Sequence, residues 1–106
     1  MTLTYEDFYC KENVNLAVHS YASNDNLAIM MICAETHEPF ASLTVNLDKK
    51  LISNQAFIDA SNLRLALCFV INNKLGRLVG LGHSGFCDYP LIEFNMSEVK
   101  KYGLQE

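Results

Sequence analysis

The densest run of chemically capable residues is Gly80-Leu81-Gly82-His83-Ser84-Gly85-Phe86-Cys87-Asp88-Tyr89. Its first six residues spell G-x-G-x-x-G, the pattern of dinucleotide-binding loops. That chemistry requires the motif to open a helix, so that pyrophosphate meets backbone N–H groups and the positive end of the helix dipole. Here Phe86-Cys87-Asp88-Tyr89-Pro90 follows, which cannot form the first turns of a long helix. The run therefore reads as a hairpin loop that needs permissive backbone, and no cofactor is expected. His83 and Cys87 have the spacing of half a zinc site, with His19, His37 or Cys10 available to complete it. Tetrahedral zinc needs four ligands, however, and strong signatures come as closely spaced pairs, so no metal is expected. Cys87 or Cys10 beside His83 or His19 would make a nucleophile and base, with Asp88 or Asp59 to orient the histidine. No oxyanion-binding context accompanies them. Asp59, Asp88 and Glu93 are too scattered to suggest a glycosidase-like carboxylate pair.

The same run supports a binding reading. Phe86 and Tyr89 are large anchors at a loop and its edge, and Asp88 offers an acid to a basic partner. A partner-binding set of His83, Phe86, Asp88 and Tyr89 follows. The competing reading folds Phe86 and Tyr89 back onto the core and leaves Gly82 and Gly85 to serve the turn. Tyr89 and Leu91 alternate with Pro90 and Ile92, so one face of that strand is buried in either case. The remaining aromatics Tyr5, Phe8, Tyr9 and Tyr21 have Glu6, Asp7 and Glu12 nearby instead of basic residues. That argues against stacking platforms for single-stranded nucleic acid, and for core or protein-interface anchors.

These residues must be positioned by elements that the patterning suggests. Asn15–Tyr21 alternates as a strand, and Asn24-Asp25-Asn26 is a turn cluster. Leu27–Ala34 is apolar on both faces and reads as a central strand, broken by Thr36-His37-Glu38-Pro39. Phe40–Leu47 alternates as a half-buried strand, with Leu43, Val45 and Leu47 inward and Ser42, Thr44 and Asn46 outward. Asp48-Lys49-Lys50 ends it, and Ala56–Ile58 is a further short strand. Ser61 or Asn62 caps a helix running to about Leu75, with Leu63, Leu67, Val70, Ile71 and Lys74 on one stripe and Leu65 and Phe69 widening it. Gly76 suits a left-handed helix cap. Arg77–Leu81 and Tyr89–Phe94 form a hairpin, and Ser97–Tyr102 a terminal helix. The expected class is α+β: an antiparallel sheet, from a three-stranded meander plus the C-terminal hairpin, with one main helix packed on one face.

Bulk composition narrows the function classes. A length of 106 residues fits a single domain spanning 1–106, and 50% hydrophobic residues with 19% charged exclude a disordered chain. No apolar run approaches the length needed to cross a membrane, and none is expected as a partner. Twelve acids against eight bases give a net charge of −4, and only Lys49-Lys50 and Lys100-Lys101 cluster. That is a poor surface for tracking phosphates, so no direct nucleic-acid contact is expected. The stretch after Met1 has neither a basic region nor an apolar core, which suggests the cytoplasm and reduced thiols. Cys33 and Cys68 lie in apolar runs as small hydrophobes.

Three stretches carry a family resemblance: Ala41-Ser42-Leu43-Thr44-Val45-Asn46-Leu47, Ala56-Phe57-Ile58-Asp59-Ala60-Ser61-Asn62, and Gly85-Phe86-Cys87-Asp88-Tyr89-Pro90-Leu91-Ile92-Glu93-Phe94. Their order and spacing, over residues 40 to 95, resemble a family of small uncharacterised proteins encoded on conjugative elements and phages. Ala60-Ser61 departs from its usual Thr-Asn, and Ile92 stands where an aromatic is common. The resemblance implies no catalytic residues. It implies a setting in which small acidic proteins bind host machinery, including CRISPR and other defence nucleases. The expected function is a non-enzymatic protein-binding module, monomeric or homodimeric, acting on a host protein such as a basic nucleic-acid-binding nuclease complex. The alternatives are a small cysteine-dependent or metal-assisted enzyme and a DNA-maintenance accessory protein.

Overall fold

The structure is a computed structural model that describes residues 1–47 and 49–103; Asp48, expected to help end a strand, lies outside the described residues. Alternation of apolar and polar residues builds a first antiparallel sheet from β1 (Leu3–Glu6), β2 (Lys11–Ser20), β3 (Leu27–Cys33) and β4 (Pro39–Ser42), in that spatial order. β1 was not anticipated, although Leu3 and Tyr5 alternate with exposed Thr4 and Glu6 as a half-buried strand should. It makes the expected three-stranded meander four-stranded. β3 pairs with both β2 and β4, so the apolar run is a central strand as its composition demanded. Asp25 and His37 take the left-handed conformation, at φ 58° and 61°, in the two turns marked by their Asx and Thr-His-Glu-Pro clusters. Pro39 opens an edge strand, where a missing N–H is least costly to the ladder.

The expected strand Phe40–Leu47 is instead a corner. β4 ends at Ser42, and β5 (Thr44–Val45) begins a second sheet with β6 (Gln55–Ile58), β7 (Gly76–Ser84) and β8 (Cys87–Phe94), ordered β5-β6-β8-β7. Leu43 joins the two sheets. Its N–H donates to Ile29 O at 2.9 Å in the first, and its carbonyl accepts Asp59 N at 3.0 Å beside the second. The hydroxyls read as solvent-facing turn back onto the chain: Ser42 Oγ donates to Thr44 O at 2.7 Å, and Thr44 Oγ1 accepts Ile29 N at 3.1 Å. Thr44 is consequently buried along with Leu43. A Ser/Thr side chain that competes for backbone partners breaks a ladder that alternation alone would continue.

The main helix is also shorter than its stripe suggests. α1 spans Ala66–Asn72 and begins at Leu65 without a side-chain cap. Ser61 and Asn62 are committed elsewhere, donating to the Asp59 carboxylate at 3.0 and 2.9 Å. Ala66, Phe69 and Val70 are the buried residues of the helix, whereas Ile71, Cys68 and Lys74 face solvent. Lys74, not Gly76, takes the left-handed conformation after the helix, at φ 58°. Gly76 lies in β7, where a Cβ would come within 2.7 Å of Glu93 O and 2.6 Å of Ile92 Cγ2. It is glycine because the strands approach too closely for a side chain. The terminal helix α2 runs Met96–Lys100, with Asn95 as its cap, accepting from Glu98 N at 3.4 Å.

The architecture is α+β, dominated by antiparallel sheet. One apolar cluster draws Leu3, Tyr5, Val14, Leu16 and Met31 from the first sheet, Ala56, Ile58, Ile92 and Phe94 from the second, and Phe69, Val70 and Val99 from the helices. The Tyr5 ring meets Phe69 edge-on at 5.4 Å, tying the unanticipated first strand to α1.

Candidate functional site

Strands β7 and β8 pair from Gly76↔Phe94 to Ser84↔Cys87, so the hairpin is longer than the expected Arg77–Leu81 and Tyr89–Phe94 and closes on Gly85-Phe86 alone. Gly85 has φ +62° and Phe86 does not have positive φ, the arrangement of a II′ turn with glycine first. The G-x-G-x-x-G run is therefore strand and turn, with no helix to receive a phosphate. Each of its later glycines has a separate cause. Gly82 lies under the Phe57 ring, where any Cβ would collide with the ring and with Leu47. Gly85 has open space around it and is needed for its backbone angle.

The register sorts the site residues onto faces. His83 pairs with Asp88, and Ser84 with Cys87, so His83 and Cys87 project to opposite sides of the ribbon. They cannot share a zinc ion or act as a nucleophile and its base without refolding the turn. His83 Nδ1 contacts Asp88 Oδ1 directly, with the two side chains 76% and 61% exposed. This histidine and carboxylate have the pairing of a catalytic orienter and base, but the Cys87 thiol lies on the other face. In this exposed setting the pair braces the tip and contributes little stability. Among the described residues, no three His, Cys, Asp or Glu side chains cluster as metal ligands.

The aromatic pair separates. Phe86 is wholly exposed, at 109% of its reference area, and does not fold back onto the core. Tyr89 is half-buried, with its hydroxyl 3.3 Å from Ser61 Oγ. Pro90, Ile92 and Phe94 form the buried face of β8, as alternation required. Sequence reasoning missed Leu78, Val79 and Leu81, which are exposed on β7 at the free edge of the second sheet. The alternation V-G-L-G was the available signal, masked by the motif it resembles.

A second aromatic projection occupies the β1–β2 loop, where Phe8 and Tyr9 are 78% and 81% exposed. Asp7 organises it: Oδ1 accepts Tyr9 N at 2.8 Å and Cys10 N at 3.0 Å, while Oδ2 accepts the Tyr5 hydroxyl at 3.2 Å. The Tyr9 and Cys10 amides hold the Asp7 carboxyl below the ordinary carboxylate range, with the Cys10 thiol and Tyr5 hydroxyl assisting. Desolvation, then the bond to Asp7, pushes the Cys10 thiol up. The raised pKa favours the thiol over the thiolate at Cys10. Cys68 is exposed on α1 and does not serve as a core residue.

The three stretches that carried the resemblance prove to be neighbours. Thr44↔Ile58 and Val45↔Phe57 pair the first with the second, and Phe57↔Leu91 pairs the second with the third. Tyr89 and Ser61 join the last two again through their hydroxyls. The class is thus a small α+β protein in which the three stretches meet in the second sheet, the first of them entering it from β4 of the first sheet. The chain belongs to the family described as a domain of unknown function, DUF4313, whose model matches residues 15–106. That range extends well beyond residues 40 to 95 and leaves β1 and the Phe8-Tyr9 loop outside it. No curated protein and no solved structure matches the chain. Among the described residues, no helix is long and apolar enough to cross a membrane.

Proposed function

We propose that this protein is a non-enzymatic binding module that presents the β7–β8 hairpin tip to another protein. Phe86 carries the reading: it is a wholly exposed aromatic on a two-residue turn held by strand pairing on both sides. Such an anchor enters a partner pocket at little conformational cost, and burying a phenylalanine contributes about 1.5–3 kcal/mol. Leu81 adds exposed apolar surface farther down β7, and Asp88 adds an acid suited to a basic rim.

The resemblance to proteins of conjugative elements and phages supports a bacterial host protein as the partner. The net charge of −4 supports a basic one, such as the nucleic-acid-binding part of a CRISPR or other defence nuclease complex, which the module would inhibit. The test is co-purification from a host lysate, followed by calorimetric titration of the recovered partner. Phe86→Ala and Asp88→Lys should each weaken binding by about 1–3 kcal/mol while the melting temperature hardly moves. Wild-type affinity in both variants places the functional surface elsewhere. Loss of the fold in both shows that the tip is structural.

A further inference from the structure

At the opposite end of the same two strands, a cleft of about 680 Å³ opens between the end of α1, the start of β7, the end of β8 and the start of α2. We propose that this cleft binds a small organic carboxylate with an apolar body. Its volume is in the range of ligand sites, and its lining is mixed: polar groups predominate, with a smaller apolar patch at one side. Ile71, 44% exposed at the end of α1, and half-buried Met96 supply that apolar patch, whereas the Phe94 side chain belongs to the core.

The charge balance selects the sign of the ligand. Lys74 lines the cleft and forms no ion pair among the described residues, although the chain as a whole carries excess acid. Arg77 lines it too, but donates Nε and Nη2 to Glu93 Oε1 at 3.2 and 3.0 Å. That carboxylate offsets Arg77 and fixes its guanidinium plane, leaving Lys74 as the lining charge with no ion pair among the described residues. The Asn54 amide and the Ser97 hydroxyl also line the cleft, and neither makes a side-chain hydrogen bond among the described residues. A carboxylate beside Lys74 would gain a charge-assisted bond, and its apolar body would cover Ile71 and Met96.

The test is a ¹⁵N-detected NMR titration of the full chain with three probes. These are N-acetyl-leucine, its neutral amide, and acetate, which has no apolar body. The expected result is saturable shifts at Ile71, Lys74, Met96 and Ser97 with N-acetyl-leucine, and binding weaker by about tenfold or more with either of the other two. Lys74→Gln, at a solvent-exposed position, should abolish the preference for the carboxylate over the amide, and Lys74→Arg should retain it. Equal binding of carboxylate and amide overturns the anion site. Equal binding of acetate overturns the apolar part, and absence of saturable shifts at the cleft overturns the site altogether.

Discussion

Tyr5 concentrates several effects in one side chain. It is fully buried, packs edge-on against Phe69, and donates its hydroxyl to Asp7. Burial first, then the Asp7 charge and hydrogen bond, push its pKa up from 10.0 to about 12. A group whose folded pKa is raised contributes its full stabilisation below the unfolded value and loses it as pH climbs toward the folded one. Thermal stability should therefore fall between pH 10 and about 12, and Tyr5→Phe should flatten that fall in melting curves across the interval. An equally steep fall in the variant would assign it to other groups. Thr44 tests the corner. Thr44→Val strands the Ile29 N–H and the Tyr21 hydroxyl, now bonded to Thr44 Oγ1 at 3.1 and 2.9 Å. Chemical denaturation should register a loss of about 1–3 kcal/mol; a neutral result would show that the Thr44 hydroxyl does not govern the bend.

At the scale of elements, the glycines of β7 separate close approach from mere tolerance. Gly76→Ala drives a Cβ to within 2.7 Å of the Glu93 carbonyl and 3.0 Å of Phe94 Cα, both backbone atoms that cannot swing aside. Gly80→Ala meets only Leu91 side-chain atoms at 3.6 and 3.8 Å, ordinary contact distance. The first substitution should cost about 1–3 kcal/mol in denaturant midpoint analysis, and the second should be neutral or slightly stabilising. Equal effects would mean that the two strands can separate freely at their base. Asn15 ties the ends of the chain in a comparable way, its amide donating to Met1 O at 2.9 Å and Tyr102 O at 3.1 Å. Neither partner is near in sequence, which is why Asn15 read only as the start of a strand.

For the whole molecule, the cysteines are dispersed over the β1–β2 loop, the end of β3, the outer side of α1 and the start of β8, all as free thiols. Intact mass under non-reducing conditions should equal that of the fully reduced chain. A mass lower by two hydrogens would reveal a bridge and require these elements to move.

How far the chain could be read follows from the range of the interactions involved. The central strand β3, the Asx turn at Asp25, the alternating β8 and the hairpin were legible because period and turn chemistry act over a few residues. Of the proposed site residues, Phe86 lies in the turn that the neighbouring glycine suggested, whereas Asp88 lies in β8 and not in a loop. Only the tertiary structure decided that Phe86 projects while Tyr89 meets Ser61, and that His83 and Cys87 occupy opposite faces. It also divided Phe40–Leu47 between two sheets and drew Ser61 and Asn62 away from the helix to Asp59. Each of those outcomes depends on a partner from another element or on a ladder register. A side chain's own identity states what it can bond to; the folded chain determines which partner is within reach.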